Sequence, residues 1–229
     1  MNDYIVSRSG LFLNCNLLDD IAQVHGFFPL YLREPEKVNE ALNAGGARPQ
    51  ARLCDFLGVS QMTATGKYYD WQSRSSFLPL VTAGQRPIFT DDDAALQAVT
   101  GTDFSPEHTV YLPNEAQLAI QFTNESRIRI NRTRFEAHRL DIELEAPEAG
   151  LTVIAQSYYH PWRAYVDGQP TRLWRANYAF EAVEVEAGKR SVTLAYEDHT
   201  WYCGIAVSCL ALFVCLVLEF WRCKQPTHC

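Results

Sequence analysis

Trp201 to Trp221, WYCGIAVSCLALFVCLVLEFW, decides how the rest of this chain is read. No other stretch is apolar for long enough to leave water altogether. As a helix rising ~1.5 Å per residue it covers about 30 Å, the hydrocarbon thickness of a bilayer. Trp201 and Tyr202 at one end and Phe220 and Trp221 at the other place amphipathic rings where headgroups lie, and the single acid, Glu219, sits near the edge. The expectation is a transmembrane helix over 199–222, a short tail over 223–229, and a soluble part before them.

Working upstream from the span, the sequence is β in character. Val192, Leu194 and Tyr196 alternate with other residues, as do Leu151 and Val153, Leu140, Ile142 and Leu144, Ile128 and Ile130, and Leu118, Ile120 and Phe122. Turn residues separate these runs at Asn124 to Ser126, Pro147 to Gly150, Asp167-Gly168 and Ala187-Gly188. The Asp-Gly pair in AYVDGQPTRLW suits a two-residue hairpin, since both positions tolerate positive φ. Short strands at such intervals predict an antiparallel β-sandwich over 114–198. Arg127 and Arg129 fall on the face opposite Ile128 and Ile130, and Asp141, Glu143 and Glu145 on the face opposite Leu140, Ile142 and Leu144, so ion pairs across strands are expected there.

Residues 1–113 read as a small α/β segment. In NLLDDIAQVHGFF, Leu17, Leu18, Ile21 and Val24 have a three-and-four spacing that predicts one or two helical turns against a core, with His25 an ordinary residue. EPEKVNEALNAGG predicts a helix with Pro35 in its first turn, Val38, Ala41 and Leu42 on one face, and Gly45 as its stop. PQARLCDFLG repeats that plan, with Leu53, Phe56 and Leu57 inside and Gly58 at the end. Val59 to Thr65 is strand-like, GKYYDWQSRSS reads as a polar loop, and FLPLVTAGQRPIF as a strand broken at AGQRP. In TDDDAALQAVTG, Asp91 or Asp92 caps a helix; adjacent aspartates at a helix start do not converge on one ion. Val110 to Leu112 is a further strand.

With 20 basic against 27 acidic residues and no basic run, a nucleic-acid surface is not expected. Of seven cysteines only Cys15 and Cys54 fall in the soluble part, which is no disulfide framework, and the spacing of Cys203, Cys209 and Cys215 is not that of a zinc site. The amino terminus lacks the features of a secretory signal. Arg222 and Lys224 after the span favour a cytoplasmic tail, which would put the soluble part outside the cytoplasm. Either the positive-inside signal, only two residues strong, misleads, or the chain is the last piece of a longer membrane protein whose earlier helices did the exporting.

The densest chemistry is YYHPWRAYVDGQPTRLWRANYAF, Tyr158 to Phe180. Tyr158, Tyr159, Trp162 and Trp174 offer faces that stack on sugar rings, while Arg163 and Arg175 can bind phosphate or carboxylate through two parallel hydrogen bonds. These six residues are the candidate glycan site. The other reading, and the commoner use of large rings, is that they pack the sandwich. No nucleophile elbow, zinc-binding helix motif, P-loop or dinucleotide fingerprint occurs, so no catalytic residue, metal or cofactor is expected.

The run LTVIAQSYYHPWRAYVDGQPTRLWRANYAFEAVEVEAGKRSVTLAYEDHTWYCGIAVS resembles the C-terminal end of the YfhO-like bacterial membrane proteins. Tyr158, Tyr159, Pro161, Trp162, Ala164, Val166, Asp167, Gly168, Asn177, Ala187, Gly188, Val192 and Tyr196 carry the resemblance. LCDFLGV and GFFPLYL are similar to earlier segments of that family. His160 stands where the family usually has Pro, and Lys189-Arg190 where it has His. The resemblance implies a relation to polytopic GT-C glycosyltransferases, which take sugar from a polyprenyl-phosphate donor to modify envelope polymers. Their catalytic carboxylate lies between membrane helices that this chain lacks, so no catalytic residue carries over. The implied function is an extracytoplasmic module accessory to glycosyl transfer, with partners in the bilayer through Trp201 to Trp221, a polytopic glycosyltransferase or its N-terminal part, and a glycan. The alternative is an independent anchored glycan-binding or protein-interaction module.

Overall fold

The computed structural model describes residues 2–24, 26, 29–44, 50–64 and 66–224. The expectations placed on His25, Gly45, Thr65 and tail residues 225–229 lie outside the described residues. In chain order, α1 (Asn2–Ser9) and a 3-10 turn at Cys15–Asp19 precede α2 (Arg33–Ala44) and α3 (Ala51–Phe56). β1 (Gln61–Ala64) and β2 (Lys67–Ser73) form an antiparallel pair, and β3 (Val81–Ala83) follows. β4 (Arg86–Thr90), α4 (Asp92–Val99) and β5 (Thr109–Pro113) make a parallel strand–helix–strand unit. Eight strands come next: β6 (Arg129–Glu136), β7 (Arg139–Ala146), β8 (Gly150–Ile154), β9 (Trp162–Val166), β10 (Gln169–Thr171), β11 (Leu173–Ala176), β12 (Phe180–Val185) and β13 (Gly188–Tyr196). The last element is α5 (His199–Lys224).

The expected α+β architecture is present, with an antiparallel sandwich at its centre. One sheet has the order β10-β9-β13-β7-β6 and the other β11-β12-β8-β3. Leu140, Ile142, Leu144, Val192 and Leu194 from the first meet Val81, Ile154, Val183 and Val185 from the second in one buried cluster. The opposite face of the second sheet is buried as well. Leu151, Val153, Trp174, Phe180 and Ala182 pack there against Val38, Leu53, Phe56, Val99, Phe104 and Leu112 from the helices and the parallel pair. The molecule therefore has three layers, and the four-stranded sheet is the middle one. Because β3 belongs to this sheet, the sandwich draws on residues from both sides of position 113.

Local chemistry explains the joints. Asp91 accepts a hydrogen bond from Ala94 N at 2.8 Å and caps α4, while Asp92 pairs with Arg175. Asp167 and Gly168 both have positive φ, 51° and 77°, and join β9 to β10 as the Asp-Gly pair predicts. Gly84 has φ +91°, and a Cβ there would lie 2.0 Å from the Ser126 carbonyl, so only glycine lets these two backbones meet. On the outer face of the five-stranded sheet Arg129 is paired with Glu145 at 2.9 Å, as the alternation anticipates. Such exposed pairs contribute about 0–1 kcal/mol each.

Three expectations are corrected. Residues 67–73 are a strand and not a loop: Tyr69 and Trp71 favour extended backbone, and Trp71 Nε1 donates to the Ser9 carbonyl at 3.1 Å. Leu118, Ile120 and Phe122 form no strand. Asn114–Leu118 is a 3-10 turn, Ile120 N bonds to Ala116 O at 2.9 Å, and Leu118 is 87% exposed. Finally, Leu17, Leu18, Ile21 and Val24 do not pack on a core, and Leu18 is 69% exposed. Asn14 and Asp20, both left-handed at φ 61° and 53°, confine the helix to five residues. The residue this turn buries is Asn16, whose amide donates to Ile21 O at 2.8 Å.

α5 is long and apolar enough over Thr200–Glu219 to cross a bilayer, and none of that stretch is buried against protein. It is the only such helix among the described residues.

Candidate functional site

The strands set one end of the sandwich beside the start of α5. β13 ends at Tyr196, whose cross-strand partner is Trp162 at the start of β9. The connection 155–161, which leads from β8 into β9, lies at this same end. Only Glu197 and Asp198 separate Tyr196 from α5, and both are tied down. Glu197 N donates to Pro161 O at 2.9 Å. Asp198 accepts from Thr200 N at 3.0 Å, and its bonds to Thr200 hold its carboxyl below the usual range.

Around Tyr196 the rings gather. Tyr159 stacks on it at 6.4 Å between centroids, Trp162 meets it edge-on at 5.5 Å, and His138 lies 6.2 Å away. His160 touches Tyr159 edge-on at 4.5 Å and is exposed. Arg163 is exposed as well, and its guanidinium donates to the His160 carbonyl at 2.8 Å. Tyr165 donates its phenol proton to Glu197 at 2.8 Å, which raises the phenol pKa. The result is a half-buried aromatic platform edged by an arginine, where the chain turns from sheet into spanning helix.

The six candidate residues do not share one surface. Tyr159, Trp162 and Arg163 belong to the platform. Tyr158, half-buried, ties the 155–161 connection to the turn after β11 through its N–H and Ala179 O at 2.8 Å. Trp174 and Arg175 lie on β11 in the other sheet. Trp174 is 3% exposed within the core against the helices, with the Arg172 guanidinium 3.8 Å over its ring. Arg175 is held by the Asp92 carboxylate at 2.6 and 2.8 Å.

Sequence reasoning missed Tyr196 and His138 as members of the platform. The signal for Tyr196 was its place at the end of the strand that runs into the span. It also missed Glu181. In FEAVEV, Phe180 and Ala182 face the helices, so Glu181 faces the sandwich interior with Val183 and Val185. It is fully buried, neither carboxylate oxygen has a hydrogen-bond partner, and burial pushes its pKa up to about 8. The buried Thr152 hydroxyl on the neighbouring strand is likewise unpaired.

A cavity of about 200 Å³ adjoins this end of the sandwich. Val24, Leu30, Tyr31, Leu32, Glu36, Asn39 and Ser157 are among the residues that line it. No group of three metal-ligating side chains occurs among the described residues.

No curated protein matches the chain. Residues 108–208, which run from β5 through the sandwich into the first turns of α5, match the family described as bacterial membrane protein YfhO, and with the spanning helix this identifies a membrane-associated module similar to the C-terminal portion of YfhO-like proteins.

Proposed function

We propose that the chain is an extracytoplasmic module, anchored by α5, that serves glycosyl transfer onto cell-envelope polymers without performing the chemistry itself. The observation that carries this reading is the aromatic platform at the root of α5. Tyr196 lies three residues before the helix, Trp162 is its cross-strand partner and Tyr159 stacks on it, while the exposed Arg163 guanidinium is held at the carbonyl of His160, whose ring touches Tyr159. At that depth rings stack on sugars and an arginine binds phosphate, the two groups that a lipid-linked sugar presents together. The partner would be a polytopic glycosyltransferase that supplies the catalytic carboxylate.

The test uses the full chain in vesicles containing a polyprenyl-phosphate sugar. Arg163→Ala and Tyr159→Ala, both at the rim, should weaken retention of that lipid roughly tenfold or more, by loss of a charge-assisted pair or a stacked ring. Unchanged retention in folded variants would reject the platform as a sugar site. Sugar transfer by the purified chain alone would reject the accessory role. Protease accessibility of the soluble part in intact cells decides its side of the membrane.

A further inference from the structure

The part of the chain that should have packed on a core, and does not, leads to Val24, which shares a cavity with Ser157 in the connection at the membrane end of the sandwich. Leu17, Leu18, Leu30 and Tyr31 are 68%, 69%, 87% and 44% exposed, and Ile5, Phe12, Leu13 and Ile21 are exposed with them. From Ile5 to Leu32 the only Asp, Glu, Lys or Arg residues are Arg8, Asp19 and Asp20, and Arg8 is paired with Asp19. An apolar surface of this density on a soluble face marks a contact with lipid or protein.

Its position favours lipid. Val24, Leu30, Tyr31 and Leu32 share a cavity with Ser157. Ser157 belongs to the connection that ends at Trp162, the cross-strand partner of Tyr196, and α5 begins three residues after Tyr196. Through Val24 and Leu30 to Leu32 the exposed apolar segment thus adjoins the connection that carries the aromatic platform and leads towards the helix that crosses the bilayer. We infer that Ile5 to Val24 and Leu30 to Leu32 form a second lipid-contacting surface, seated in the leaflet that Trp201 and Tyr202 enter. Insertion of leucine and tyrosine side chains among the upper acyl carbons removes their apolar area from water, and pairing Arg8 with Asp19 lowers the cost of bringing charge there. The inference rests on α5 spanning the bilayer and is independent of any role in glycosyl transfer.

The experiment places a benzophenone photoprobe at Leu18, at Leu30, or at Ala149, in the full chain reconstituted into phosphatidylethanolamine–phosphatidylglycerol vesicles. Ala149 lies in the turn between β7 and β8, at the end of the sandwich away from α5. Phospholipid adducts are expected at Leu18 and Leu30 and not at Ala149. In a second variant, Leu17→Glu with Leu18→Glu, the Leu30 adduct should be lost while the circular dichroism spectrum and membrane retention stay unchanged. Cross-links from Leu18 or Leu30 to a second copy of the chain, or no lipid adduct at either position in folded and inserted protein, would overturn the inference. So would equal lipid labelling at Ala149.

Discussion

Glu181 sets a condition on the pH at which the module is stable. Its carboxyl is sealed between the two sheets with no partner, and its pKa stands at about 8 against 4.5 for an exposed glutamate. Below pH 4.5 the group is neutral folded or unfolded and contributes nothing either way. As pH rises from 4.5 to 8 the unfolded chain ionises and the folded one does not, so stability falls through that window and levels off above it. The loss is on the order of 5 kcal/mol at most. Glu181→Gln keeps the shape and removes the ionisation, so its melting temperature should exceed the parent's at pH 8 by more than it does at pH 4, where both chains hold a neutral group. Equal pH dependence in the two proteins would show that the carboxyl is solvated. The acid was visible in FEAVEV, but its direction depended on knowing which face of that strand met the other sheet. Both faces turned out to be covered, so alternation alone could not point it inward.

At the scale of elements, what was legible followed local chemistry. Asp91 caps α4, Asp167-Gly168 turns the β9–β10 hairpin, and the alternating runs from Leu140 onward are strands, because in each case residues close in sequence supply the decisive interaction. The misreadings came where the partner was distant or absent. Leu118, Ile120 and Phe122 alternate with no strand beside them, whereas Lys67–Ser73 is polar and becomes a strand because β1 pairs with it. Of the candidate site, the rings and arginines were legible as chemistry. Their division between two sheets was not, because the chain crosses from one layer to the other at Arg172, between β10 and β11, with no turn signal to mark it. α5 permits a direct test at this scale. Leu210→Arg puts a charge near the middle of Thr200–Glu219, at a cost of roughly 2.5–3.5 kcal/mol for insertion. The membrane-bound fraction resistant to alkaline extraction should drop, while Glu219→Gln at the edge should leave it unchanged. A Leu210→Arg chain that stays fully membrane-bound would mean that α5 is not the sole anchor.

The whole molecule is held by its middle layer, and this governs whether the segments before and after position 113 can exist apart. The four-stranded sheet takes its edge strand β3 from the first segment, and buries one face on the five-stranded sheet and the other on the helices and the parallel pair. Asn177, 1% exposed in the turn between β11 and β12, adds a polar clamp between them. Its N–H donates to Tyr111 O at 2.7 Å and its side-chain oxygen accepts from Tyr111 N at 2.9 Å. Residues 114–229 alone would expose Leu151, Val153, Trp174 and Phe180, and burying such a side chain is worth about 1.5–3 kcal/mol. They would also leave β8 as an open edge, ready to pair with another chain. Expressed separately in detergent, residues 114–229 should therefore bind a hydrophobic dye and associate, and co-expression with residues 1–113 should restore a compact complex. A monomeric 114–229 with a sharp melt and no dye binding would show that the sandwich is self-sufficient, and that the helical layer is an attachment to it.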